Sequence, residues 1–245
     1  MDHHLQIFST PEKLSTAAAD FILQCAEKAV RENGRFALAL SGGRTPEQLF
    51  ARLAAPPYRE KMPWASTFIF WGDERCVPFD DERNNANMAQ RILLDKIEIP
   101  TSHIYRIPVE LSPEEGARQY EQMLHNLFDP DRPVFDLMLL GLGQDGHTAS
   151  LFPGTAVLRE QKRWVSEVFA EEQQMYRITM TLPLINQARA VLFLVAGKEK
   201  REILRSILQG ATDAMESYPA QLVQPQKGEV YWFADTEAAA FLKTG

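Results

Sequence analysis

In this chain short apolar runs repeatedly break into glycine and polar or charged residues. Phe36–Leu40 runs into Ser41-Gly42-Gly43, Thr67–Trp71 into Gly72-Asp73-Glu74-Arg75, and residues 134–140 into Gly141-Leu142-Gly143-Gln144-Asp145-Gly146-His147. Short apolar runs bounded by turn signals suit strands buried on both faces. Glycines in the following loops let the backbone turn sharply and come close to a ligand. In open α/β sheets, ligands sit beyond the carboxyl ends of the strands. Such a fold would gather all three polar clusters at its ligand-binding end.

Helical signals fill the intervals. Thr10-Pro11 opens a helix, with Thr as N-cap and Pro at the first helical position, and Gly34 stops it. A second helix starts at Thr45-Pro46 and places Leu49, Phe50 and Leu53 on one face. Residues 84–94 read as a helix, and Ser112-Pro113-Glu114-Glu115 has the spacing of a capping box. Residues 5–8 form a short first strand, with weaker strands at 163–168 and 177–182. A buried strand at 190–196 leads into a helix over 198–209 that stops at Gly210, and 229–234 is the last strand. Asp235 or Thr236 then caps a short final helix. Alternating strands and helices predict a doubly wound α/β fold, with a mainly parallel sheet covered by helices on both faces. The chain reads as one domain over residues 1–245, with a small extra lobe built near 150–185.

Composition narrows the function classes. A net charge of −7, from 33 acidic and 26 basic residues, argues against a nucleic-acid binder, which usually carries a basic face. It leaves a small anionic ligand open, because a few local cations decide that question. No apolar run is long enough to span a membrane, and the N-terminus lacks the basic-then-apolar pattern of a signal peptide. Cys25 and Cys76 are the only cysteines, which fits a reducing compartment. The expectation is a cytoplasmic protein.

The glycine-rich turns carry the chemistry. Ser41-Gly42-Gly43-Arg44-Thr45-Pro46 joins a strand to a helix, so bare amides and a helix N-terminus offer a site for an anion. It lacks the Gly-Lys-Ser/Thr ending of a nucleotide P-loop, which disfavours ATP. An ordinary tight turn is the alternative. Gly72-Asp73-Glu74-Arg75 packs three charges behind a Phe-Ile-Phe-Trp run; a surface turn would explain it, but its place after an apolar strand favours a ligand cleft. Cys76 reads as packing, since no His is near it in sequence and its acidic neighbours disfavour a thiolate. The loop at 141–147 delivers Asp145 and His147 together, and an imidazole oriented by a carboxylate suits a general base near neutral pH.

That loop also spells Gly-x-Gly-x-x-Gly, with Glu167 about 20 residues on, the position of a ribose-binding acid in dinucleotide folds. Asp145 would then face a pyrophosphate, and His147 stands where small residues should open the helix. Among the other histidines, His3 and His4 lie at the terminus, and His103 and His125 have no partner nearby in sequence. No zinc spacing and no Gly-x-Ser-x-Gly elbow occur, and Ser150 lacks a recognisable oxyanion loop. Arg177 and Lys200 are further cations placed at strand ends; Lys198 competes with Lys200, and each is more often a solvated charge.

Five segments in order resemble one family. Ser-Gly-Gly-x-Thr-Pro at 41–46, Trp71-Gly72-Asp73-Glu74-Arg75, Asn84-Asn85-x-x-Met88, the run from Gly141 to Gly154 and Arg177-Ile178-Thr179-x-Thr181-x-Pro183 are similar to motifs of the 6-phosphogluconolactonases. The resemblance covers almost the whole chain. It implies a doubly wound α/β fold shared with glucosamine-6-phosphate deaminases and ribose-5-phosphate isomerases. It implies hydrolysis of 6-phospho-D-glucono-1,5-lactone to 6-phospho-D-gluconate, the second step of the oxidative pentose phosphate pathway, without metal or organic cofactor. Carried over residue by residue, His147 would be the general base with Asp145 beside it, and Asp73 and Arg75 would lie around the lactone. Ser41, Gly42, Gly43, Arg44 and Thr45, with Arg177 and Lys200, would hold the phosphate. The implied partner is a small phosphorylated sugar lactone, with no nucleic acid and no membrane, on a monomer or weak homodimer.

Three alternatives compete. An amino-sugar phosphate deaminase on the same scaffold also uses an Asp-Gly-His loop, but resembles Asp-Gly-His-x-Ala-Phe-Asn-Glu-Pro where this chain has Ser150-Leu151-Phe152-Pro153. A non-catalytic sugar-phosphate sensor would have little reason to keep His147, Asp73 and Arg75 together. A nicotinamide oxidoreductase would bind NAD or NADP.

Overall fold

Most strands and helices break near where the sequence signals stop, and the two weaker strands, expected at 163–168 and 177–182, lie at Val165–Ala170 and Met175–Met180. The computed structural model describes residues 4–128, 135–210 and 218–243. Strand β1 (His4–Phe8) leads to helix α1 (Pro11–Asn33), whose N-cap Thr10 accepts from the Lys13 amide and whose stop is Gly34 at φ 74°. Leu14, Ala18, Ile22, Ala26 and Ala29 form the buried stripe of α1. Then come β2 (Phe36–Leu40), α2 (Arg44–Leu53), a single turn α3 (Tyr58–Lys61), β3 (Thr67–Trp71) and β4 (Asp73–Arg75). Helix α4 (Asn85–Ile92) is capped by Asn84, and α5 (Pro113–Leu127) by Ser112, whose hydroxyl accepts from the Glu115 amide. The second half comprises β5 (Leu137–Leu140), β6 (Val165–Ala170), β7 (Met175–Met180), a single turn α6 (Leu182–Ile185), β8 (Ala190–Val195), α7 (Arg201–Gln209) and β9 (Glu229–Asp235).

Six strands form one sheet in the order β1-β9-β8-β5-β2-β3, and every neighbouring pair is parallel. All residues of β2, β5 and β8 are buried, so both faces are covered, as the continuous apolar runs require. The core lies against this sheet; Phe193 of β8 and Trp232 of β9 stack at 3.9 Å across it. The extra lobe expected near 150–185 is a second sheet, the antiparallel trio β4-β7-β6.

Local departures have local causes. Helix α2 starts at Arg44 with Gly43 as its cap, ahead of the Thr45-Pro46 signal, because Gly43 at φ 105° turns the chain in directly. Helix α4 ends two residues before 94, giving way to a 3-10 turn at Leu94–Lys96. The segment 198–200 is likewise a 3-10 turn ahead of α7. No final helix forms at 236–240; these residues make turns in which the Asp235 carboxylate accepts from the Ala238 amide at 2.7 Å and also from Gly197. The expected start of the central strand at Val134, like His3, lies outside the described residues. Among the described residues, no helix is long and apolar enough to cross a membrane.

Candidate active site

Chain direction reverses between β2 and β5: from β2 the chain moves outward to β3, then returns to place β5 on the other side of β2. Loops diverge at such a switch point and leave a crevice at the carboxyl ends of the strands. A cleft of about 570 Å³ opens there, lined by Ser41, Gly42, Asp73, Arg75, Asp145, His147, Arg177 and Lys200 among others. Eight of the eleven residues expected from the sequence therefore share one cleft. Gly43, Arg44 and Thr45 stand just outside its lining, at the head of α2, where no side chain caps the helix amides.

The β2 loop is shaped by what leans on it. A Cβ on Gly42 would fall 1.8 Å from Asn85 Oδ1, so only glycine lets the Asn85 amide seat against the loop. Asn85 also lines the cleft and donates through Nδ2 to the Asp73 carbonyl at 3.1 Å.

Strand β4 alternates its three charges. Asp73 and Arg75 line the cleft, while Glu74 turns away and accepts from the Asn85, Ala86 and Arg75 amides, each at 2.8 Å. Burial raises the Glu74 carboxyl from 4.5 to about 7, opposed by these amides and reinforced by the Asp73 charge. Across the ladder Arg75 sits opposite Arg177 of β7. Like charges in that position repel. Asp73 offsets part of this, its Oδ2 lying 3.7 Å from Arg177 Nη1. Arg177 also donates to Gln173 at 2.9 Å, and burial pushes its guanidinium below the ordinary value. The Nε atoms of both arginines and the Ser41 hydroxyl are buried without a hydrogen-bond partner among the described residues. Buried donors are seldom left unpaired, so three in one cleft point to an anionic or hydroxylated ligand.

Facing them is the β5 loop. Asp145 Oδ1 meets His147 Nδ1 at 2.5 Å and also accepts the His147 amide at 3.1 Å. Burial would raise the Asp145 carboxyl, but the hydrogen bond and charge of His147 outweigh it and hold the group below its usual value. With Nδ1 committed to Asp145, Nε2 is the nitrogen left to accept a proton. Gly143 makes room for the pair, since a Cβ there would lie 2.2 Å from His147 Nδ1. Lys200 lines the cleft and is half-buried, whereas Lys198 is exposed. Burial lowers the Lys200 ammonium, with Glu199 and Asp145 pulling the other way.

The chain as a whole has known relatives. Residues 9–232 match the family of glucosamine-6-phosphate isomerases and 6-phosphogluconolactonases. The chain belongs to this family. Among curated relatives, a 6-phosphogluconolactonase of Synechocystis is 43% identical over 220 residues, 88% of each chain. The rat 6-phosphogluconolactonase is 37% identical over 242 residues, 97% of this chain and 93% of that one. Among solved structures, the 6-phosphogluconolactonase of Trypanosoma brucei superposes with a TM-score of 0.88 at 31% identity, covering 99% of both chains.

Within the lactonase–isomerase family frame, several cleft residues had no individual sequence signal. Glu172 and Gln173 sit at the tip of the β6–β7 hairpin and line the cleft, where neither periodicity nor spacing marks them. Asn85 stands inside the Asn84-Asn85-x-x-Met88 motif, which gives it no role by itself, and nothing local separates Glu74 from its charged neighbours. Ser150 is buried with its Oγ donating to Asp73 Oδ2 at 2.6 Å, which explains its unsuitability as a nucleophile. His103, His125 and Cys76 are packing groups. His103 stacks on Phe68 and His125 on Trp164, and burial with the Glu74 charge pushes the Cys76 thiol up to about 11.

Proposed function

We propose that this chain is a 6-phosphogluconolactonase, hydrolysing 6-phospho-D-glucono-1,5-lactone to 6-phospho-D-gluconate in the oxidative pentose phosphate pathway. The observation that carries this reading is one cleft with a His–Asp pair on one wall and three unpaired donors, Ser41 Oγ, Arg75 Nε and Arg177 Nε, on the others. Its volume of about 570 Å³ suits a phosphorylated hexose lactone. The names of the relatives support the same substrate.

In this reading Asp145 holds the imidazole with Nε2 free. Nε2 takes a proton from water as the water oxygen attacks C1 of the lactone. The carbonyl oxygen becomes an oxyanion near the Arg75 guanidinium, which stabilises the developing charge. As the tetrahedral intermediate collapses, the C1–O5 bond breaks and O5 receives the proton from the imidazolium. The product acid then ionises. General-base help of this kind is worth roughly 10²–10⁴-fold. Ser41, Gly42, Arg177 and Lys200, with the uncapped amides of Gly43, Arg44 and Thr45 nearby, hold the phosphate at the far end of the ring. Those contacts are remote from the bond that breaks, so they position the substrate.

The test is to generate the lactone in situ at neutral or lower pH and follow acid release above the spontaneous rate. His147→Ala is expected to cut kcat about 10²-fold or more with little change in KM. Turnover near that of the parent enzyme would end the general-base assignment.

A further inference from the structure

Resting on the reading above, the geometry points to Ser150 as a positioning residue that aims the Asp73 carboxylate into the cleft and ties β4 to the His147 loop. Asp73 and Ser150 are 77 positions apart in sequence, yet Ser150 Oγ donates to Asp73 Oδ2 at 2.6 Å. That is the length of a charge-assisted hydrogen bond from a hydroxyl to a carboxylate. The other partner of this carboxylate among the described residues is the Arg177 guanidinium, an ion pair to the same oxygen at 3.7 Å. Both hold Oδ2, which leaves Oδ1 as the oxygen that can meet a ligand in the cleft.

The loop is built to turn this hydroxyl inward. Ala149 has φ 48°, a left-handed conformation that is unfavourable for a residue with a Cβ. On either side of it, Thr148 donates to the Gly141 carbonyl at 2.8 Å, and the Ser150 amide donates to Thr179 Oγ1 at 3.2 Å. The strained residue is therefore pinned from both the β5 and the β7 side. Ser150 has no exposed surface at all and does not line the cleft. Its side chain can influence catalysis only through Asp73. The same hydroxyl links the strand that carries Asp73 and Arg75 to the loop that carries Asp145 and His147, so it fixes the spacing between the two walls.

The test is a double-mutant cycle in the full chain with Ser150→Ala and Asp73→Asn, reading kcat, KM and the thermal midpoint. Ser150→Ala alone is expected to lower kcat/KM about 10- to 100-fold, the range for losing a hydrogen bond to a charged group. In the Asp73→Asn background the same change is expected to cost about 2-fold or less, because the acceptor that remains is a neutral amide oxygen and the charge to be aimed is gone. Ser150→Thr, which keeps the donor, is expected to recover most of the loss. Losses that multiply in both backgrounds, or a Thr variant as impaired as Ala, would overturn the proposal and leave the lactonase reading intact. If Asp73→Asn is itself silent, Asp73 is outside the reacting site, and both its assigned place and this inference fall. Should Ser150→Ala not fold, hydrogen exchange of the Ser150 hydroxyl decides the matter. Slow exchange that becomes fast in Asp73→Ala supports the link, and fast exchange in the parent chain refutes it.

Discussion

Gly143 gives the sharpest test of the His–Asp pair, because its replacement attacks the pair and nothing else. Its backbone lies outside the left-handed region, so alanine carries no conformational penalty there. Its added Cβ would lie 2.2 Å from His147 Nδ1, 2.4 Å from Cε1 and 2.5 Å from Asp145 Oδ1. Contacts of that kind do not occur below about 3 Å, so the imidazole must retreat by close to 1 Å or rotate away from the carboxylate. Displacements of about 1 Å at a reacting group can cost about 10²-fold in rate. Gly143→Ala is therefore expected to lower kcat about 10²-fold while leaving KM within about 3-fold, since the proposed phosphate contacts are elsewhere. The assay is acid release from lactone generated in situ, paired with nitrogen NMR of the His147 ring. Gly72→Ala is the control: its Cβ would meet only the Leu40 carbonyl, at an ordinary 3.7 Å, so activity should hold. A Gly143→Ala enzyme whose ring signals report a broken pair but whose kcat is unchanged would refute the reasoning.

Other expectations follow from the same geometry. Lys200→Ala and Arg177→Ala are expected to raise KM about 10-fold or more with smaller effects on kcat, whereas Lys198→Ala, at an exposed site, should do neither; an unchanged KM in both of the first pair would remove them from the phosphate site. Glu74 predicts a pH dependence of stability: burial holds its carboxyl near 7 in the fold against an ordinary 4.5, so the native state binds this proton more tightly than the unfolded chain. Its contribution is fully present below about pH 4.5 and is lost as pH rises through 7, a change of about 3 kcal/mol. Denaturant unfolding at pH 5 and pH 8 should show that fall in the parent chain and a flatter profile in Glu74→Gln; equal slopes would refute it.

How much of this was legible in the sequence depended on how local the physics was. Thr10, Ser112 and Gly34 mark helix ends because each satisfies backbone groups within a few residues of itself, and all three do so as expected. Asn84, expected as the first residue of a helix, caps α4 in the same way. The runs at 36–40, 67–71 and 190–195 are strands because a parallel sheet covered on both faces demands unbroken apolar residues. The final helix does not form. Asp235 makes the capping bond to the Ala238 amide and also holds Gly197, 38 residues away, yet the chain beyond goes no further than turns.

Strand β4 shows most plainly why a site is harder to read than a fold. Asp73-Glu74-Arg75 has the composition of a surface turn, yet Asp73 and Glu74 are both buried. Burial of such charges is unfavourable unless partners are supplied, and here every partner but the Arg75 amide comes from elsewhere in the chain. Asp73 is held by Ser150 and Arg177, and Glu74 by the leading amides of α4, while Arg75 faces Arg177 across the ladder. Period-2 alternation then does the sorting: residues 73 and 75 face the cleft and residue 74 faces the helix. A strand interior to the core would never tolerate three such residues in succession. Their survival in this one requires that the fold first bring the His147 loop, α4 and β7 to the same edge. The chemistry of the site is thus a consequence of tertiary contacts, and changing Ser150 or Glu74, neither of which reaches the cleft, tests it as directly as changing His147.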